Sequence, residues 1–393
     1  MRTIGVVTVS RSDYGIYLPI LRKIQQDPDL RLGLLVSGTH LFKKFGFTLQ
    51  IIEKDMFPIE AKIEISSLSD TPGDIAKALG MGVTGFAHSY ERFRPDILLV
   101  LGDRYEMFSA VTAALIFKIP VAHIHGGESS EGLIDEALRH SITKMSHLHF
   151  VSTKHYANRV IQMGEEPWRV FVCGAPALDH LDQIQILSQQ ALEKKYGFDL
   201  TIPTLLVTYH PVTLEYEKIA VQLQELLSAL GEIDCGIVFT YPSLDTRNQS
   251  VIDAIQNYKM KHPRVWVVPN LGTQDYFSLM HHARAMVGNS SSGIIEAASF
   301  KLPVVDIGNR QRGRIRAKNV IQVNCVRSEI QAGIHQALSP QFRASLTDLV
   351  NPYGDGHAAE KIVTVLKEIA IDDKLLIKRF YEILDTKQCE LSL

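Results

Sequence analysis

Short runs of Val, Ile and Leu alternate with helical patterns along the whole chain. In the first half the runs are Thr3–Val9, Leu32–Val36, Ile63–Ile65, Ile97–Leu101, Val121–Ile124, Leu148–Val151 and Val170–Val172. Between them lie helical segments such as Tyr14–Gln25, Asp74–Arg92, Met107–Phe117 and Ile134–Met145. The second half repeats the theme at Leu205–Thr208, Gly236–Thr240, Val265–Val268, Ala285–Val287, Val304–Asp306 and Val320–Val323. Strands that are apolar on both faces, joined by helical crossovers, belong to parallel sheets covered on both sides. This many βα units exceeds one sheet, so the expected fold is α/β with two doubly wound, Rossmann-like domains. A length of 393 residues agrees. The break is expected between Pro176 and Pro203, where DQIQILSQQALEKKYGFDL is polar and helical in pattern.

A formal net charge of −2 gives no footprint for nucleic acid or an anionic membrane. Cys173, Cys235, Cys325 and Cys389 are far apart and form no CxxC pair, so neither a disulfide framework nor a zinc site is expected. The first apolar run ends at Arg11 and reads as a strand rather than a leader, and no later run is long enough to span a bilayer. A cytoplasmic protein is the expectation.

In doubly wound folds ligands bind beyond the carboxyl ends of the strands. The loops there are Ser10–Gly15 (SRSDYG), Gly102–Glu106 (GDRYE), His123–Gly132 (HIHGGESSEG), Thr208–Thr213 (TYHPVT), Tyr241–Arg247 (YPSLDTR), GNSSSG and Asp306–Arg314 (DIGNRQRGR). The first turn lacks GxGxxG, which argues against a dinucleotide there. In VGNSSSGIIEAASF (Val287–Phe300) a strand enters three serines, Ser290, Ser291 and Ser292, followed by Gly293. A helix opening at about Ser292 presents small residues and N–H donors suited to an anion. Glu296, one turn on, suits a sugar diol, so the pair suggests a nucleoside diphosphate. The plain alternative is a helix cap with a Ser-x-x-x-Glu spacing.

Arg11 offers a cation at a helix N-terminus, or a salt bridge to Asp13 or Asp103. Asp103 ends a buried strand and is a candidate acid or base through a desolvated carboxyl; Arg104 beside it opposes that shift or binds substrate. The stretch His123–His140 is dense in titratable groups: His125, Glu128, Glu131, Asp135 and Arg139 among them. Asp135 and Arg139, spaced i, i+4, share a helix face suited to pairing. No metal-ligand spacing such as HExxH is present. His147 and His149 read as the partly exposed face of an alternating strand. His210 is a candidate switchable acid or base, or a phosphate ligand when protonated.

Taken in order, SRSDYG, LGDR, HIHGGE, IDEALRHSITKMSH, VTYHPVT, GNSSSG, GNRQRGR and YGDGHA resemble the hydrolysing UDP-N-acetylglucosamine 2-epimerases over nearly the whole chain. The resemblance implies two Rossmann-like domains facing a cleft, the GT-B arrangement, with C-terminal helices crossing back. Residues 1–180 with about 370–393 would form the sugar side, and 181–369 the UDP side. It implies UDP contacts from Arg11, His210, Ser290, Ser291, Glu296 and Arg310, with Ser292 and Gly293 in the same loop, and a further substrate arginine at Arg104. Its catalytic carboxylates fall on Asp103 and Asp135. A third acidic position is occupied here by His125, leaving that role to His125, Glu128 or Glu131. The implied reaction turns UDP-N-acetylglucosamine and water into N-acetylmannosamine and UDP for sialic-acid-type sugars. It runs through a 2-acetamidoglucal and needs no metal or redox cofactor.

The same chemistry on UDP-2,4-diacetamido-2,4,6-trideoxyglucose, toward legionaminic acid, is the alternative substrate. A non-hydrolysing epimerase, a GT-B glycosyltransferase and a non-catalytic UDP-sugar-binding regulator are further readings. The family also implies a homodimer or homotetramer.

Overall fold

The computed structural model describes residues 1–42, 48–65, 71–131, 134–212, 217–242 and 248–383. Gly132, Thr213, the 243–247 part of the Tyr241 loop and Cys389 lie outside them. The chain forms two compact units: Met1–Glu128, Ile134–Asp179 and Gly354–Leu393 in the first, Ser129–Leu133 and His180–Tyr353 in the second.

The first unit holds seven parallel strands: β1 (Arg2–Thr8), β2 (Leu30–Ser37), β3 (Ile59–Ile63), β4 (Ile97–Leu101), β5 (Val121–Ile124), β6 (Leu148–Val151) and β7 (Val170–Val172). Their order is β3-β2-β1-β4-β5-β6-β7. Most fall where the apolar runs predict. β3 instead lies upstream of Ile63–Ile65, because IEAKI is an edge strand that is only partly covered and lacks the continuous apolar run of its neighbours. The central strands are buried on both faces and feed one core with the helices Arg11–Gln26, Pro72–Arg92 and Tyr105–Ile116.

The chain rejoins this unit at Gly354 rather than near residue 370. The helix Ala358–Glu368 explains the early return: Ala358, Ala359, Ile362, Val363 and Leu366 all enter the first unit's core. Burying a Val, Ile or Leu side chain contributes about 1.5–3 kcal/mol. The Asp179 carboxylate accepts from Ala358 N (2.9 Å) and Ala359 N (2.6 Å), capping the helix. Fully buried Arg169 then donates to Lys374 O (2.7 Å) and Leu375 O (2.8 Å), and Lys378 Nζ donates to Lys144 O and Ser146 O (2.6 Å each). The C-terminal stretch is thereby tied to the end of the helix Ile134–Met145.

The second unit holds six parallel strands: β8 (Thr204–Thr208), β9 (Gly236–Thr240), β10 (Val265–Val268), β11 (Ala285–Gly288), β12 (Val304–Ile307) and β13 (Val320–Val323). Their order is β10-β9-β8-β11-β12-β13. In the segment between the units only Gln189–Tyr196 is an α-helix, capped by Ser188 and closed by Gly197 at φ 72°. Among the described residues no helix is long and apolar enough to cross a membrane.

His147 and His149 are buried, not partly exposed, because β7 and the C-terminal stretch cover β6. Burial pushes His123 down to about 3, and His40 and His147 to about 4, from an ordinary 6.5. These bases have depressed folded values, so as pH falls below 6.5 the unfolded chain takes up protons that the fold refuses. Stability is then lost at about 1.4 kcal/mol per pH unit for each such histidine. The urea midpoint is expected to fall between pH 7 and pH 5, and to fall less steeply in His123→Gln, whose amide replaces both ring hydrogen bonds. Equal slopes in the two proteins would remove His123 from this account.

Candidate active site

Strand order reverses between β1 and β4 in the first sheet and between β8 and β11 in the second. Connections leave in opposite directions at such a point and open a crevice at the carboxyl ends. Arg11 follows β1, Asp103 follows β4, His210 follows β8 and Ser290 follows β11. Topology alone therefore brings these four sequence-predicted residues to the two switch points, whereas His125 follows β5 and Arg310 follows β12.

In the first unit Asp13 does not pair with Arg11. Its buried carboxylate accepts from Val9 N (2.8 Å), Ser10 N (2.7 Å) and Ser10 Oγ (2.5 Å), closing a capping box. Arg11 lies exposed in the first helical turn and makes no ion pair among the described residues. Arg104 does not oppose a shift at Asp103 either; its Nε (3.2 Å) and Nη2 (3.3 Å) bind the buried Glu106.

The guanidinium against Asp103 belongs to Arg139. Buried Arg139 donates through Nη2 to Asp103, and through Nη1 to Glu128 O (3.0 Å) and Glu136 (3.2 Å). Asp103 keeps 25% of its side chain exposed, so it is an oriented ion-pair partner rather than a desolvated acid. Asp135 sits half-buried in the first turn of the helix that carries Arg139.

His125 continues β5 in the left-handed region, at φ 65°. Its Nδ1 lies 2.7 Å from Glu128 Oε1, which also accepts from Ser152 Oγ (2.9 Å). Both nitrogens of His123 are engaged, with Gly102 O (2.8 Å) and Thr143 Oγ1 (3.2 Å), which makes it a structural residue. Glu131 belongs to the second unit, where it is half exposed and ion-paired to Arg312 (3.2 Å). No group of three His, Cys, Asp or Glu side chains converges as a metal site among the described residues.

In the second unit the serine loop opens a helix of five residues, Ser291–Ile295. Ser290 caps it by accepting from Ser292 N (3.4 Å), so the plain cap is present. Ser292 Oγ also meets Ser290 Oγ and the Tyr276 hydroxyl, each at 2.8 Å. Tyr276 is pushed up to about 12, first by burial and then by the Glu296 charge. Half-buried Glu296 caps the end of the short helix. Gly293 is buried because a Cβ there would lie 2.9 Å from Val304 Cγ1.

Asn289 joins three loops. Its Oδ1 accepts from His210 N (2.7 Å) and its Nδ2 donates to His210 O (2.8 Å). Its own carbonyl accepts from Arg310 Nη1 (3.2 Å) and Gln311 Nε2 (2.9 Å). His210 is held well below its ordinary value by burial, then by the Arg310 charge. Arg139, Asn289, Gln311 and Tyr276 were not singled out as site residues from sequence. Arg139 read as a helix pair for Asp135, and nothing local marks Asn289, Gln311 or Tyr276.

A UDP-N-acetylglucosamine 2-epimerase family model matches residues 22–367. The chain is 38% identical over 379 residues to the UDP-N,N'-diacetylbacillosamine 2-epimerase (hydrolyzing) of Legionella pneumophila, covering 96% of this chain and 99% of that one. It is 37% identical over 385 residues to the GDP/UDP-N,N'-diacetylbacillosamine 2-epimerase (hydrolyzing) of Campylobacter jejuni, covering 97% and 99%. It superposes on the crystal structure of UDP-GlcNAc 2-epimerase from Neisseria meningitidis bound to UDP-GlcNAc with a TM-score of 0.81, over 93% of this chain and 99% of that one. At 21% identity that likeness is one of fold. Two doubly wound units, polar clusters at both switch points and a family match across most of the length agree, and the chain belongs to the UDP-N-acetylglucosamine 2-epimerase family.

Proposed function

We propose that the protein is a hydrolysing UDP-sugar 2-epimerase acting on UDP-N,N'-diacetylbacillosamine, the 2,4-diacetamido-2,4,6-trideoxy substrate. The observation that carries the chemistry is the Arg139 fork, which orients the partly exposed Asp103 carboxylate at the end of β4. The substrate choice is supported by the Legionella and Campylobacter relatives, whose names carry that sugar. UDP-N-acetylglucosamine becomes the alternative.

In this reading the second unit's loops hold UDP: Ser290, Ser291, His210 and Arg310 the diphosphate, and Glu296 the ribose. Arg11 and Arg104 add cationic contacts. Positive charge and aligned donors stabilise the departing diphosphate. Asp103 takes the proton from C2 as the C1–O bond to UDP breaks, leaving a 2-acetamidoglucal. Asp135 then accepts a proton from the water that adds at C1, while an acid delivers a proton to C2 from the opposite face. The sugar leaves as its 2-epimer.

Incubation with each UDP-sugar in D2O, followed by proton NMR, is expected to give free UDP and a 2-epimer deuterated at C2. The trideoxy sugar is expected to lead by about 10–200-fold in kcat/KM, the range that small substituents in a pocket provide. An epimer still attached to UDP would instead indicate a non-hydrolysing enzyme, and UDP release only with an acceptor would indicate transfer. Asp103→Asn is expected to lower C2 exchange by about 10²–10⁴; undiminished deuterium incorporation would take the base role from Asp103. Asn289→Ala leaves both main-chain groups of His210 without their partner, and is expected to weaken UDP binding about tenfold, or about 1.4 kcal/mol. Calorimetric titration with UDP checks this, and unchanged affinity would refute it.

A further inference from the structure

We propose that His125 and Glu128 form a proton-transfer dyad in which the imidazole Nε2 delivers the proton to C2 during water addition, with Glu128 as its positioning residue. The inference rests on the hydrolysing reading above and fills the step left there to an unnamed acid. Glu128 is 2% exposed and its Oε1 lies 2.7 Å from His125 Nδ1. An ionised carboxylate only accepts, so the Nδ1 position carries the proton and Nε2 is the nitrogen that exchanges. Ser152 Oγ donates to the same oxygen at 2.9 Å and fixes the carboxylate from its other side.

Three observations bear on this histidine, the first of them in contrast to its strand neighbour His123. Among the described residues Nε2 of His125 makes no hydrogen bond, whereas both nitrogens of His123 are taken by Gly102 O and Thr143 Oγ1. The φ of 65° puts a non-glycine residue in the left-handed region, which costs about 1–2 kcal/mol and would be relieved by glycine. Arg139 bonds both the Asp103 carboxylate and Glu128 O (3.0 Å), so the dyad and the base share one anchor. Glu131, the other acidic residue of this loop, is held by Arg312 (3.2 Å) in the second unit.

The step balances. The C1=C2 π pair of the glucal takes the Nε2 proton at C2. The water oxygen closes on C1 and its proton passes to the Asp135 carboxylate. Exchange with solvent restores both groups.

The test uses His125→Gly, which suits the left-handed backbone and leaves space for an imidazole, and the near-isosteric Glu128→Gln. Each variant is given the UDP-sugar, and separately 2-acetamidoglucal with UDP. His125→Gly is expected to release UDP and accumulate the glucal, with glucal hydration down at least about 100-fold. Added imidazole is expected to restore hydration at least tenfold. Glu128→Gln is expected to lower kcat for hydration about tenfold or more with KM unchanged, and His125→Gly/Glu128→Gln to respond less to imidazole. Hydration at the wild-type rate in His125→Gly, no response to imidazole in a folded variant, or a Glu128→Gln effect confined to KM would overturn the dyad. A wild-type protein that releases no UDP from any UDP-2-acetamido sugar would instead overturn the hydrolysing reading itself.

Discussion

A parallel strand buried on both faces must satisfy its main chain inside the sheet until its carboxyl end, and that requirement governs where this protein keeps its polar chemistry. At β8 and β11 the two ends are in register, Thr208 opposite Gly288, and a Cβ on Gly288 would lie 1.9 Å from Thr208 O. Glycine at φ 138° is therefore the residue that lets the two chains leave the sheet together. Immediately beyond it the Asn289 side chain replaces the lost ladder, pairing with both main-chain groups of His210. Loop positions after these strands follow from sheet pairing, and the loops beyond β8 and β11 inherit that rigidity.

The first unit solves the same problem with charge. Its β4 and β5 ends are joined by Gly102 N to Ile124 O (3.0 Å), which places the Asp103 and His125 loops side by side. One buried cation, Arg139, serves both loops. Leaving it without partners would be costly, so the ion pair with Asp103 and the bond to Glu128 O stabilise the fold and orient the Asp103 carboxylate at once. The helix that supplies Arg139 also supplies Asp135, and its far end is held by Lys378 from the C-terminal stretch. Asp135 at the start of this helix and the packing at its end therefore belong to one element.

The strands were legible because burial on both faces leaves an apolar run that only a parallel sheet or a buried helix explains, and run length separates the two. The loop residues were legible because their order matches a family. What escaped depends on partners far away in sequence. Arg139 reads as a helical ion pair with Asp135 until the sheet brings Asp103 to it. Asn289 gains its role only when β8 lies beside β11. The helix expected to open at about Ser292 is present as Ser291–Ile295, and it passes into a 3-10 turn, Ala297–Phe300, ending with Lys301 in the left-handed region. β3 was misplaced because an edge strand is not obliged to be apolar on both faces.

The conformation of His125 gives the sharpest link from backbone to chemistry. It is followed by Gly126 and Gly127, so the chain uses glycine freely in this turn. Gly127 needs it: at φ 75° a Cβ would lie 2.6 Å from Tyr156 O. His125 takes a similar φ yet keeps its side chain, held by its amide on Phe150 O (3.0 Å) and its ring on Glu128. A glycine would remove the left-handed strain, but it would also take the ring partner from the buried Glu128 carboxylate. What distinguishes them is a ring nitrogen at the end of β5, beside the loop that carries Asp103, with a buried carboxylate behind it.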